Sequence, residues 1–129
     1  MKINHIAIRT EDIEKVKAFY CRYFGMEAGP VYFNAKRQFT SYFLTLHGSD
    51  TRIEIINIKG LPINEITGFP GTGYAHIAIS AGSMESVNEL TDTLRSHGYI
   101  IRSGPRVTGD GYYESVILDP EGNEIEITV

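Results

Sequence analysis

Residues 3–9 alternate between two faces. Ile3, His5, Ala7 and Arg9 fall on one, Asn4, Ile6 and Ile8 on the other, which predicts a strand with an apolar back and a chemically mixed front. The period then changes. Ile13, Val16, Phe19, Tyr20, Tyr23 and Phe24 recur at helical spacing, with Gly25 to end the run. Thr10 is placed to cap this helix, and Glu11 and Asp12 suit its first turn electrostatically. Strand-like stretches at 27–34, 39–46 and 52–58 complete a βαβββ order. Residues 59–73 carry Gly60, Pro62, Gly68, Pro70, Gly71 and Gly73 and read as a linker. The order then restarts, with a strand from Tyr74 to Ser80. Ser83 is placed to cap a helix that sets Met84, Val87, Leu90 and Leu94 on one side and ends at Gly98. A short strand near 99–103 leads through Gly104-Pro105 and Gly109-Asp110-Gly111 to a strand at 112–118. Asp119-Pro120-Glu121-Gly122-Asn123 is a tight-turn signal before a last strand at 124–128.

The two halves echo each other in letters as well as in order. His5-Ile6-Ala7-Ile8 recurs as His76-Ile77-Ala78-Ile79, and Ile53-Glu54-Ile55 as Ile125-Glu126-Ile127. His5 precedes Glu54 by 49 positions and His76 precedes Glu126 by 50. Gly29-Pro30 and Gly104-Pro105 extend the repeat. Two copies are too few for a solenoid. The expected fold class is α+β: two tandem βαβββ modules, 1–58 and 74–129, joined by the linker 59–73 within a single domain, 1–129. Each module is expected to form a curved sheet with a helix on its convex side, the concave faces closing into a shared cup.

Bulk properties narrow the function classes. A chain of 129 residues with 42% hydrophobic and 22% charged content suits one soluble domain with a real core. A net charge of −4 without a basic run argues against nucleic acid or an anionic membrane as partner. Cys21, the single cysteine, has no partner for an internal disulfide, and its apolar helical setting reads as that of a buried inert thiol. The opening residues lead directly into a strand, as no signal peptide does, and no apolar run approaches the roughly 18 residues of a membrane span. The cytoplasm is the expected location.

The repeated residues carry the candidate chemistry. A single strand histidine reads most simply as structural, and an identical tetrapeptide as a duplicated packing motif. Each histidine, however, shares its face with an alanine, which leaves room for a bound group. Glu54 and Glu126 are each flanked by isoleucines, so the apolar neighbours face the core and the carboxylate faces the cup. A carboxylate there needs a cation or hydrogen bonds to offset desolvation. Glu124 shares a strand face with Glu126, but the repeat aligns Glu126 with Glu54 and Glu124 with Arg52, which places Glu124 nearer the rim as a solvated group. Imidazole and carboxylate without thiolate suit Zn, Ni, Co, Mn or Fe(II), and four protein ligands leave two positions of an octahedral ion open to a bidentate substrate. Tyr42, Tyr112 and Tyr113 read either as pocket lining or, more simply, as strand packing.

The paired βαβββ order, the His-led first strand of each half, Phe19-Tyr20, Gly25 and the closing Asp119–Glu126 segment resemble the vicinal oxygen chelate superfamily, the glyoxalase/bleomycin resistance/dioxygenase family that includes glyoxalase I. The resemblance covers essentially the whole chain. It implies metal positions at His5, Glu54, His76 and Glu126, with one divalent ion per site, Ni, Zn or Co ahead of Mn or Fe. It implies a metal-dependent lyase or isomerase, lactoylglutathione lyase-like, that acts on a thiol hemithioacetal of an α-ketoaldehyde through a metal-stabilised enediolate. Glu126 would move the proton, with Glu54 as its pseudo-symmetric counterpart, either leaving the metal to do so. Arg9 matches a position that binds glutathione carboxylates in glyoxalase I; its plain reading is a solvated strand end. The alternatives are another enzyme of the superfamily (epimerase, dioxygenase or thiol transferase) or a protein that sequesters a small molecule without turnover. The resemblance also implies a homodimer; relatives often complete the cup by swapping modules between chains, and the linker at 59–73 permits a site within one chain or between two. Two departures stand out. An asparagine expected four residues after Glu54 is replaced by Ile58, with Asn57 one earlier on the opposite face, and a lysine-bearing loop is replaced by residues 102–111, where Arg106 reads as a solvated charge or a substitute.

Overall fold

The computed structural model describes residues 2–60 and 73–129, which fall in two compact units, Met1–Glu65 and Ile66–Val129. Most of the expected linker, residues 61–72, lies outside the described residues. Among the described residues no helix is long and apolar enough to cross a membrane.

In the first unit β1 (His5–Arg9) leads into α1 (Ile13–Phe24), followed by β2 (Glu27–Ala28), β3 (Tyr32–Asn34), β4 (Phe39–Thr45) and β5 (Arg52–Ile58). The sheet order is β1-β5-β4-β2, with β3 also on β4. The single strand expected at 27–34 is thus two. Gly29-Pro30 interrupts the run, and the pieces pair with opposite ends of β4. Asp12, rather than Thr10, caps α1, its carboxylate accepting from the Lys15 amide at 3.0 Å. Thr10 instead prolongs the pairing of β1 with β5, its amide donating to the Ile56 carbonyl at 2.8 Å. Gly25 ends the helix in the left-handed conformation, φ +62°. The helix buries Val16, Phe19 and Tyr20, and Leu44, Ile53 and Ile55 are buried from the strands. Tyr42 joins the same layer, donating to Glu14 at 2.8 Å beneath the Lys17 ammonium. It faces α1, which settles it as packing. Cys21 is half-buried on α1 instead of fully buried.

The second unit repeats the plan with β6 (His76–Ser80), α2 (Met84–Ser96), β7 (Ile101–Val107), β8 (Tyr113–Leu118) and β9 (Glu124–Thr128), in the order β6-β9-β8-β7. Ser83 caps α2 as expected, accepting from the Ser86 amide at 3.1 Å. Val87, Thr91 and Leu94 bury against Ser115, Ile117, Ile125 and Ile127, each side chain of this size contributing about 1.5–3 kcal/mol if apolar. The Thr91 and Ser115 hydroxyls satisfy each other at 2.6 Å within this layer. Tyr113 donates to Asn88 of α2 at 2.7 Å, so it too packs toward the helix, while Tyr112 is exposed. Asp119 closes the β8–β9 turn by accepting from the amides of Glu121 and Asn123, each at 2.9 Å.

The β7 strand runs further than the short one expected near 99–103, because Gly104-Pro105 lies within it. The register slips on either side of this pair. Gly104 has φ +83°, and a Cβ there would meet the Glu114 carbonyl oxygen at 2.5 Å. The close approach of β7 to β8 therefore requires glycine, whereas a Cβ at Gly25 would meet no atom within 4 Å. We predict that Gly25→Ala costs about 1–2 kcal/mol, from backbone conformation alone. Gly104→Ala should cost about 3 kcal/mol or more, with steric conflict added. Urea unfolding reads both as lowered midpoints at unchanged slope. Equal losses would show that the approach of β7 to β8 is not tight.

Candidate metal centre

Parallel pairing sets the site in each unit. β1 pairs with β5 so that Ala7 lies opposite Glu54 and His5 opposite Arg52. β6 pairs with β9 so that Ala78 lies opposite Glu126 and His76 opposite Glu124. The two registers are the same although the repeats are offset by 71 residues at the histidine and 72 at the glutamate. Residues directly opposite one another share a face, and α1 and α2 cover the other one. Histidine and glutamate thus stand side by side on the helix-free face. His5 Nε2 lies 3.7 Å from Glu54 Oε2, and His76 Nε2 lies 3.3 Å from Glu126 Oε2. The imidazoles are about two-fifths exposed and the carboxylates less than one-fifth.

Of these spacings, 3.3 Å lies within the range for two ligands of one cation and 3.7 Å lies beyond it. Two ligand atoms each about 2.1 Å from one ion lie about 3.0 Å apart at a right angle and about 3.4 Å apart at the tetrahedral angle. Each unit supplies one imidazole–carboxylate pair. Among the described residues no three His, Cys, Asp or Glu side chains converge as a metal-binding group.

The surroundings of the two pairs differ. Arg52 lies over the Phe43 ring at 4.2 Å, and that ring meets His5 edge-on at 5.3 Å. In the second unit Glu124, expected near the rim as a solvated group, is ion-paired with Arg102 at 3.2 Å. The less expected residue is Glu114. It lies on β8 opposite Thr128, next along the same face from Val116, the register partner of Glu126. Its carboxyl is nearly buried and within hydrogen-bonding reach of Glu126. Burial, then the charge of Glu126, holds its pKa above the usual carboxylate range, against the pull of Arg106. Arg106 is not a free loop charge. It sits on β7 opposite Glu114, 3.6 Å from its carboxylate, and also donates to Ser103 at 2.9 Å. Repeat matching passes over Glu114 because its counterpart in the first unit is Ser41; the alternation of β8 with Tyr113 and Ser115 facing inward is the signal that places it.

Of the other expected residues, Arg9 is exposed on β1 on the face of His5. Asn57 lies on the opposite face from Glu54, where its amide donates to the Thr10 and Glu11 carbonyls and ties the β1–α1 connection to β5. It serves the fold.

The raised Glu114 pKa has a definite sign. Stability that comes from keeping this carboxyl neutral is fully present below the unfolded-state value and is lost as pH rises through the folded value. In metal-free protein, Glu114→Gln should therefore have a higher Tm relative to wild type at pH 8 than at pH 4. A difference that stays constant from pH 4 to pH 8 would contradict the burial of an ionisable Glu114.

The sequence profile of the Glyoxalase/Bleomycin resistance protein/Dioxygenase superfamily matches residues 2–127. The lactoylglutathione lyase of Escherichia coli O157:H7 is 25% identical over 131 residues, covering 98% of this chain and 91% of that one. Lactoylglutathione lyase GLX1 of Arabidopsis thaliana is 27% identical over 95% of this chain, which spans only 42% of that protein's length. An ethylmalonyl-CoA/methylmalonyl-CoA epimerase of Cereibacter sphaeroides is 29% identical over 110 residues, 85% of this chain and 76% of that one. Among solved structures, the trypanothione-dependent glyoxalase I of Leishmania major matches with a TM-score of 0.79 at 24% identity, covering 99% of this chain and 86% of that one. At that identity the likeness establishes the fold.

Proposed function

The chain belongs to the Glyoxalase/Bleomycin resistance protein/Dioxygenase superfamily, and from that premise we propose that it is a metal-dependent isomerase or lyase of the glyoxalase I type. The observation that carries the reading is the repeated imidazole–carboxylate pair at matched register, 3.7 Å and 3.3 Å across. His5, Glu54, His76 and Glu126 would hold one divalent ion, of Ni, Zn or Co character, with Mn and Fe next. Such an ion would supply Lewis acidity toward two adjacent oxygens of a substrate.

The proton chemistry belongs to the side chains. In the hemithioacetal of an α-ketoaldehyde, the hydrogen on the sulfur-bearing carbon must leave and a proton must arrive on the neighbouring carbon. A carboxylate can do both without net consumption of any reagent. Glu126 is assigned that role, with Glu54 as its counterpart from the other unit. Their low exposure keeps water from competing for the proton. Arg9 lies four residues from His5 along one strand face, and we assign it to a carboxylate of the substrate's thiol portion. The two units would come from one chain or from two chains of a homodimer; either supplies the same donors.

A second reading is favoured by the Cereibacter sphaeroides epimerase. Epimerisation also removes and returns a proton at a carbon beside a carbonyl, so the same carboxylates would serve. Product analysis separates the two: a thioester formed from a hemithioacetal, or inversion of a stereocentre with constitution unchanged.

Mass spectrometry after reconstitution with Ni, Co or Zn and desalting should find about one ion per chain in wild type, and far less in Glu126→Ala. Glu126→Gln should lose turnover by about a hundredfold or more while keeping part of the metal. Full activity in that variant would sink the assignment of Glu126, and wild type that retains no ion would sink the metal reading. A mixture of inactive His5→Ala and Glu126→Ala chains that regains activity would place the site between chains.

A further inference from the structure

Asn4 holds a position of unusual consequence beside His5. Its side-chain oxygen lies 2.7 Å from Arg52 Nη2 and 2.9 Å from His5 Nδ1. The guanidinium can only donate, so the Asn4 atom facing it is an oxygen. That same oxygen can only accept, so His5 Nδ1 must carry the proton. In the neutral imidazole Nε2 is then the nitrogen with a free lone pair. Nε2 is also the atom turned toward Glu54, and at 3.7 Å it is too far for a hydrogen bond to the carboxylate. Arg52 is itself held, by the Phe43 ring and by its backbone amide, which donates to the Asn4 carbonyl at 3.2 Å. Asn4, His5, Phe43 and Arg52 close a ring of contacts.

Among the described residues none of this is duplicated. By the repeat, Asn4 corresponds to Ala75, Arg52 to Glu124 and Phe43 to Val116. Among the described residues His76 has no side-chain acceptor at Nδ1.

We propose that Asn4 is a positioning residue, oriented by Arg52, that locks His5 in the Nδ1–H tautomer so that Nε2 is presented as a ligand atom, while His76 is left without such a lock. The lock stands on this geometry alone; its use in holding a metal rests on the function proposed above. Free histidine side chains favour the opposite, Nε2–H form, so the lock leaves a distinct signature.

The test is nitrogen-detected NMR of the imidazoles in metal-free protein above pH 8, on wild type, Asn4→Leu and Asn4→Asp. Wild-type His5 should show a protonated Nδ1 and an unprotonated Nε2. Asn4→Leu should shift it toward the Nε2–H form, and Asn4→Asp, which keeps an acceptor there, should restore the wild-type pattern. The His76 signals should be the same in all three. Zn or Co affinity, measured by competition with a chelator, should fall about tenfold or more in Asn4→Leu and recover in Asn4→Asp. A His5 that is Nε2–H in wild type, or Nδ1–H in Asn4→Leu, overturns the lock. An affinity unchanged by Asn4→Leu despite a changed tautomer overturns the positioning role. Wild type that binds no metal while the NMR pattern holds overturns the metal reading and leaves the lock standing.

Discussion

Everything proposed for this chain depends on one constraint, the parallel pairing of the first and last strands of each unit. A parallel ladder allows residues far apart in sequence to stand side by side, and its period of two decides which face they share. His5 and Glu54 meet because Ala7 lies opposite Glu54; a slip of one residue would turn Glu54 into the layer that holds Val16, Phe19 and Tyr20. The register is enforced from that inner layer. Ile53 and Ile55 fill the space beneath α1, and Ile125 and Ile127 do the same beneath α2. The isoleucines that flank each glutamate are therefore what aims it outward, and the same burial that stabilises the sheet orients the chemistry.

Given a common scaffold, the two units differ in what surrounds the pair. In the first, a guanidinium, a ring and an amide hold the imidazole, and the carboxylate has Phe43 as its register partner. In the second, the carboxylate has the company, Glu114 with Arg106 behind it, and among the described residues the imidazole has no comparable side-chain support. The repeat gives two imidazole–carboxylate pairs at the same register, and the neighbours on β4 and β8 make them unequal. The proposed assignment of Glu126 to proton transfer draws on this difference, since Glu126 has a second carboxyl within hydrogen-bonding reach whereas Glu54 has a ring as its register partner.

The sequence was most legible where it repeated. The echo of His5-Ile6-Ala7-Ile8 and Ile53-Glu54-Ile55 placed four strands and their faces, and Ser83, Gly25 and the Asp119 turn marked element ends through local hydrogen bonding and backbone sign. What escaped was whatever depended on a neighbour supplied by the fold. Thr10 and Asp12 are both plausible caps in isolation; the pairing of Thr10 with Ile56 decides for Asp12. Residues 27–34 alternate well enough for one strand, but Pro30 breaks the ladder between β2 and β3. Arg106 and Glu124 looked solvated because their partners, Glu114 and Arg102, lie on other strands. Glu114 and Asn4 were invisible for a related reason: neither recurs in the other half, so repetition, the strongest signal in the chain, could not point to them.

Under the proposed reading, the division of ligands between units also sets how an ion is held. One imidazole and one carboxylate make a weak site, because each bond formed must offset the loss of hydration and of side-chain freedom. Bringing two such pairs to one ion makes the second pair's binding intramolecular, and affinity then rises with the effective concentration that the scaffold imposes. Preorganisation of either pair adds directly to the affinity of the whole, because less ordering remains to be done when the ion arrives. A first unit whose imidazole is already fixed, opposite a second whose imidazole is not, would divide that task unequally. Under that division the first half would set where the ion sits, and the second would complete the donors around it.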